Sequence, residues 1–359
     1  MRTNVRWEVR QIIFMKMNKT NLIRRGIAML ASAALLWGCS GNVDVEDEMK
    51  DLTLTADVTE ITADGVSDVT FSVHYGDEDV TGEASIKCIS GNASVNGGKF
   101  SSEAIGTYVF RAFYEDAVSQ DVEVKVISRF LRRVCVMEFT GTWCAQCPEG
   151  ATTLNFLISR TYKDKAFALA FHNDDPYALP VEQDLQNMFN CGGYPAYIVD
   201  MRDAGILNGG GCGDAIETSL YEDELHSSVS VSSVFDQASG KVNVEAKVYS
   251  EKAMEYKLAA YVIEDRIIGE QAQADGSVDK EYMHRHVVRS MLSSSVRGDD
   301  LGNVAVGKEA VRSFTFTPDA QWKIEDLSVA VLAIDADGHV NNMAICAVDG
   351  GRMEYGYVN

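Results

Sequence analysis

The sequence predicts a multidomain chain of mixed class, with one α/β domain set between two β-sandwich domains. Three observations carry that reading. Residues about 50–127 and about 227–359 alternate apolar and polar side chains, the period of half-buried strands. The stretch between them carries unbroken apolar runs separated by helical spacing. Four of the five prolines (Pro148, Pro176, Pro180 and Pro195) fall in that middle stretch, so its turns are built differently from those on either side.

The amino terminus reads as an address. Residues 27–37 are an apolar run too short to span a bilayer, which takes ~20 residues. Lys19, Arg24 and Arg25 precede it and Leu36-Trp37-Gly38-Cys39 ends it, the layout of a secretory signal. The cysteine at the cut makes it resemble a bacterial lipoprotein signal, with Cys39 as the lipidated residue and membrane anchor. The 16 residues before Met17 overextend the basic region, so Met17 is the expected start. Residues 1–38 are thus assigned to the signal and 39–51 to an acidic tether (Asp44, Glu46, Asp47, Glu48, Asp51). The tether resembles the surface-export signal of Bacteroidetes lipoproteins, and the expected location is the cell envelope, at the outer membrane. Formal net charge is −21, and −27 once the seven basic residues and one acidic residue before Cys39 are removed. That balance argues against nucleic acid, whose binding needs basic surface.

Residues 52–128 are expected to form the first β-sandwich. Val69, Phe71, Val73 and Tyr75 share one face of a strand, and Val122-Val124-Val126 repeats the pattern. Gly106 to Ala112 resembles the penultimate strand of bacterial immunoglobulin-like domains. Residues 129–226 carry the runs Val134–Phe139 and Ala166–Phe171, suited to strands covered on both faces. Helical spacing follows at Leu154, Leu157, Ile158 and Tyr162, then at Val181, Leu185, Met188 and Phe189, then at Ile216, Leu220 and Leu225, giving an α/β order. Residues 227–359 alternate again, and a second β-sandwich is expected. Asp337-Gly338 predicts a two-residue hairpin turn, and Tyr282–Leu292 predicts a helix.

The chemistry concentrates at Trp143-Cys144-Ala145-Gln146-Cys147, just after the first buried strand. Two cysteines three apart on a first helical turn lie within disulfide reach. Unpaired N–H groups and the helix dipole at that end favour a thiolate. Position therefore assigns Cys144 as the exposed attacking thiol and Cys147 as the shielded resolving one. Half a zinc site and a structural staple remain as alternatives. Zinc needs two further ligands, for which His172 and Cys191 are the candidates. His172, after the second run, reads as a loop histidine or as a proton-shuttling or substrate-binding group. His284 and His286 read as a solvated face beside Arg285 and Arg289. Among the remaining cysteines, Cys135 and Cys346 read as buried packing residues, and pairing of Cys191 with Cys212 is left open.

Thr142-Trp143-Cys144-Ala145-Gln146-Cys147-Pro148 after an apolar strand resembles the active site of the thioredoxin superfamily. Glu138 stands where that family has a buried acid, and Tyr194-Pro195 where it has its cis-proline. The wider run Glu138 to Cys144 resembles the outer-membrane-protein-twenty-eight-related lipoproteins of Bacteroidetes, thioredoxin-like proteins with β domains attached. The resemblance implies thiol–disulfide exchange on protein thiols or disulfides, with no cofactor and no metal. Cys144, Cys147, Glu138 and Pro195 would be the catalytic group, and Trp143, Tyr194 and His172 would line the substrate side. Glu138 would take the proton of Cys147; its other reading is a satisfied strand-end carboxylate. Ala145-Gln146 differs from the Gly-Pro of thioredoxin itself, so the direction of electron flow stays open. The competing function is a surface binding or adhesion protein in which the cysteine pair is only a staple.

Overall fold

The computed structural model describes residues 50–202, 206 and 209–358. The signal, Cys39 and nearly all of the tether lie outside the described residues. Among those described, no helix is long and apolar enough to cross a membrane.

Nine strands, β1–β9, lie between Leu52 and Ile127 and form one four-stranded and one five-stranded sheet. Alternation decides which side chains meet between them. Val69, Phe71 and Val73 face inward from one sheet, and Phe110, Ala112, Val124 and Val126 from the other. Phe71 and Phe110 meet across the gap, tilted, with centroids 4.8 Å apart. Each such apolar side chain, fully buried, contributes ~1.5–3 kcal/mol, and together they hold the sandwich closed.

The centre of the molecule is an eight-stranded sheet. Its strands are β10 (Val134–Thr140), β11 (Ala166–His172), β12 (Ala196–Val199), β15 (Met254–Glu264), β18 (Val287–Met291), β19 (Asp299–Val304), β21 (Leu327–Ile334) and β22 (Val340–Ala347). The order is β12-β10-β11-β18-β15-β21-β22, with β19 also on β15. β10 runs parallel to β11 and antiparallel to β12. The hydrogen-bonded sheet therefore crosses position 226, where the sequence predicts a domain boundary. The seam is one parallel contact, Ala170 opposite Val287, with the Ala170 N–H donating to the His286 carbonyl at 2.7 Å. A strand as apolar as β11 left at an edge would offer unpaired backbone to other chains, and β18 covers it.

Period-two alternation then gives β10, β11, β12 and β21 two buried faces each. Cys135, Met137 and Phe139 of β10 meet Tyr261, Leu332 and Met343 from the far half of the sheet in one core. Helix α2 (Val181–Met188) joins that core through Leu185. Val134 and Val136 face the other way, under α1 (Cys147–Phe156) and α3 (Gly209–Tyr221). On that same side the far half of the sheet packs on a second sheet of β13 (Ser227–Asp236), β14 (Lys241–Ser250), β20 (Lys308–Phe316) and β23 (Arg352–Met353). Two packed sheets thus lie in the carboxyl-terminal half, and one of them continues into the α/β region.

Two expectations are corrected. Tyr282–Leu292 is not a helix. Its residues end β17 (Val278–His284), turn at His286 with φ 56°, and form β18. The backbone groups of β17 are satisfied by β16 (Ile267–Ala272), with which it forms a separate two-stranded hairpin. The Asp337-Gly338 turn is one residue longer than expected, since the Asp335 N–H donates to the His339 carbonyl around Ala336, Asp337 and Gly338. Gly338 takes φ 84°, which suits glycine.

Candidate functional site

The alternation that builds the sheet also aims the site residues. Glu138 and Thr140 share a face with Val134 and Val136, so the Glu138 side chain lies beneath α1. In β11, His172 is opposite Thr140 and shares that face. Helix α1 begins at Cys147 with Pro148 in its first turn, where the missing N–H has no helical partner to lose. Cys144 and Cys147 form a disulfide across that turn, with Cα atoms 5.4 Å apart. Cys144 is 5% exposed and Cys147 1%, so Cys144 is more covered than its position predicts.

The Tyr194–Pro195 peptide is cis and leads into β12. Gly150 lets α1 approach it closely: a Cβ there would lie 2.7 Å from Pro195 Cγ and 2.5 Å from the Tyr197 hydroxyl oxygen. Trp143 is half exposed, and its indole N–H donates to the Asn173 carbonyl at 2.8 Å. It meets Tyr194 edge to face at 5.3 Å. Tyr194 donates its hydroxyl to Glu182 at 2.7 Å and accepts from the Gln186 amide at 2.7 Å, while Asn173 donates to the other Glu182 oxygen. Cys144, Cys147, Trp143, Tyr194 and Pro195 thus gather at one edge of the sheet, and Glu138 lies behind them.

Burial alone pushes the Glu138 carboxyl up to about 8, and its Oε1 has no hydrogen-bond partner. Among the described residues no cation pairs with it, and burial favours its neutral form. A satisfied strand-end carboxylate would have partners, and Glu138 Oε1 does not.

His172 is not a surface histidine. It is 3% exposed, and its Nδ1 meets Asp175 Oδ2 at 2.6 Å. Burial would raise the Asp175 carboxyl, but bonds from His172 and from the Thr142 and Tyr177 backbones outweigh it and lower it. His284 is not on a solvated face either; it is 4% exposed. The rings of His172, Tyr177 and His284 meet mutually at 5.1–5.4 Å. Burial lowers the His284 imidazole to about 4.

The hairpin β16–β17 is what the sequence reading missed. The Ala272 N–H donates to the Thr142 carbonyl at 2.8 Å. The buried Gln271 amide donates to the carbonyls of Gly141 at 3.3 Å and Cys144 at 3.0 Å. Glu138, Cys147, His172, Gln271, Tyr282 and His284 line a single pocket. Nothing in the spacing of residues 267–284 signals this, because the contacts span well over one hundred positions. Cys88, Cys135, Cys191, Cys212 and Cys346 are free, so Cys191 and Cys212 do not pair. Cys135 and Cys346 are buried in strands as expected. No group of three or more His, Cys, Asp or Glu side chains among the described residues is arranged to hold a metal ion.

Comparison with known proteins finds one family match, to part of the chain. The match is to outer membrane protein Omp28, over residues 182–350. It covers just under half of the chain, including the hairpin but not the cysteine pair, and supports an outer-membrane or cell-envelope location. No curated protein matches. The solved structure of HBP35 of Porphyromonas gingivalis is similar over 61% of this chain and 76% of its own, with 19% identity and a TM-score of 0.52. At that identity the likeness concerns the fold alone. Domains 4–9 of the surface layer protein SbsC align over 84% of this chain and 51% of theirs, at 12% identity and a TM-score of 0.22, too low to carry an argument.

Proposed function

We propose that this is a lipid-anchored cell-envelope protein that carries out thiol–disulfide exchange through Cys144 and Cys147, with residues 129–226 as a thioredoxin-like domain. The observation that carries this is Glu138, a buried acid without a partner for Oε1 in the pocket that Cys147 lines. A disulfide that served only as a staple needs no ionisable group behind it. A substrate thiolate attacks Cys144 Sγ, the Cys144–Cys147 bond breaks, and Cys147 leaves as a thiolate. Neutral Glu138 gives it a proton. A second substrate thiolate then attacks the mixed disulfide and releases Cys144, so the substrate dithiol is oxidised and the protein pair reduced. Run in reverse, the same steps reduce a substrate disulfide. Trp143 and Tyr194 flank the entry. His172, held by Asp175, fixes the loop behind it. Cys39 supplies the membrane anchor.

A second reading, a surface binding protein with a structural disulfide, is favoured by two observations. The pair is buried beneath the hairpin, and the Omp28 match excludes it. The two readings separate on treating the oxidised chain with dithiothreitol without denaturant. Exchange predicts rapid reduction, and a mixed disulfide trapped on Cys144 in Cys147→Ser. A pair reducible only after unfolding would overturn the redox reading in favour of the second. The potential then sets direction: near ~−270 mV for a reductase and near ~−120 mV for an oxidase.

A further inference from the structure

Two buried polar atoms in the pocket behind the disulfide lack partners. One is Glu138 Oε1, and the other is His284 Nε2. Both residues line the same pocket together with Cys147. They come from strands far apart in sequence, and β18 is what joins them: Ala170, beside Glu138, pairs with Val287 just past β17. Burial holds the His284 imidazole neutral, so its unpartnered Nε2 is free to share a hydrogen bond with a water. The hairpin that carries His284 is seated tightly, since a Cβ at Gly269 would lie 2.3 Å from the Tyr177 hydroxyl oxygen.

We infer that His284 is a positioning residue for proton transfer at Cys147, its Nε2 and Glu138 Oε1 together holding the water through which Glu138 exchanges its proton. The inference rests on the thiol-exchange reading and deepens it. A neutral carboxyl and a neutral imidazole nitrogen each offer the water one hydrogen bond, so both of its ends are held. Polar walls with at least two partners are what a buried water requires. The titratable or charged groups facing His284 are His172 and Tyr177 across the ring contacts, Asp175 beside them, and Tyr282, Arg285 and His286 on its own segment, while Tyr197, Cys212 and Tyr282 face Glu138. His172 is committed to Asp175 through Nδ1. The hairpin would therefore be part of the thiol site rather than a neighbour of it.

The test is reduction of the disulfide in the full chain by dithiothreitol, followed from pH 6 to 10 and normalised to thiolate concentration. In the unsubstituted protein the normalised rate should fall above pH about 8, as Glu138 loses its proton. His284→Phe fills the pocket and excludes the water. It should slow the step by about tenfold, a part of the ~10²–10⁴ typical of a full acid–base contribution, and move the inflection upward. His284→Gln, which keeps an acceptor, should restore the rate to within about threefold; thermal unfolding checks that both variants are folded. An unchanged rate and inflection would overturn the inference, and so would a slowing with the inflection unmoved, which would make His284 a mere prop. Either result leaves the exchange reading standing. No reduction of the unsubstituted native protein would sink both.

Discussion

The Gln271 amide donates to the main-chain carbonyl of Cys144 at 3.0 Å across 127 positions of sequence. Both groups are buried, and the same amide also reaches the Gly141 carbonyl. The loop that presents the disulfide is therefore held by a strand from beyond the α/β region, and access to Cys144 depends on how firmly that strand stays in place.

Gln271→Ala should loosen the site without dismantling the fold. It removes one of two donors from the Gly141 and Cys144 carbonyls, which keep the Cys144 and Cys147 N–H groups, a loss of about 0.5–1.5 kcal/mol. In the reduced protein, Cys144 should then react with iodoacetamide several-fold faster, while Cys147 stays slow. Equal Cys144 reactivity in variant and parent would show that the hairpin does not govern access.

Glu138 should make stability depend on pH. Its carboxyl rises from 4.5 to about 8 on burial. Below pH 4.5 it is protonated in both the folded and unfolded chains. Between 4.5 and about 8 the unfolded chain gives up the proton and the folded chain keeps it, so this group's stabilising contribution is lost as pH rises. Above about 8 the loss levels off, at on the order of 5 kcal/mol. Glu138→Gln removes the titration. Urea unfolding at pH 5, 7 and 9 should show the variant gaining on the parent as pH rises. A constant difference between the two would contradict the buried-acid assignment.

Asp200 anchors the α/β region to its own terminus. It accepts from the Cys135 N–H at 2.8 Å and the Arg132 guanidinium at 3.2 Å, and from the Ser219 hydroxyl, all buried. Asp200→Ala takes from the buried Arg132 guanidinium its nearer carboxylate, leaving Asp223 at 3.9 Å, and unpairs the Cys135 N–H; it should cost about 3 kcal/mol. The urea midpoint should drop sharply with little change in slope. A loss under 1 kcal/mol would mean that the pair is not a structural anchor.

Cys39→Ala should abolish lipid labelling and release the chain from the membrane fraction. This rests on the Leu36–Cys39 sequence alone, since Cys39 lies outside the described residues. Unaltered fractionation of a cleaved Cys39→Ala chain would reject the anchor.

Much of the molecule is legible in local pattern. Period two in residues 69–75 and apolar continuity in 134–139 specify strands and their faces, because side-chain direction in a strand is fixed by backbone geometry alone. The same parity puts Glu138 under α1, and the three-residue spacing of Cys144 and Cys147 permits their disulfide. Tertiary structure decided the rest. Whether residues 282–292 would be helix or strand depended on partners elsewhere, since Val288 pairs with Ile263 and Val287 with both Glu264 and Ala170. Whether His172, His284 and Gln271 would face water depended on where a distant hairpin settled. Burial, lost hydration and the resulting shifts in proton affinity are properties of assembled surroundings. Sequence alone determined the cysteine pair and the acid behind it; only the fold decided what closes over them.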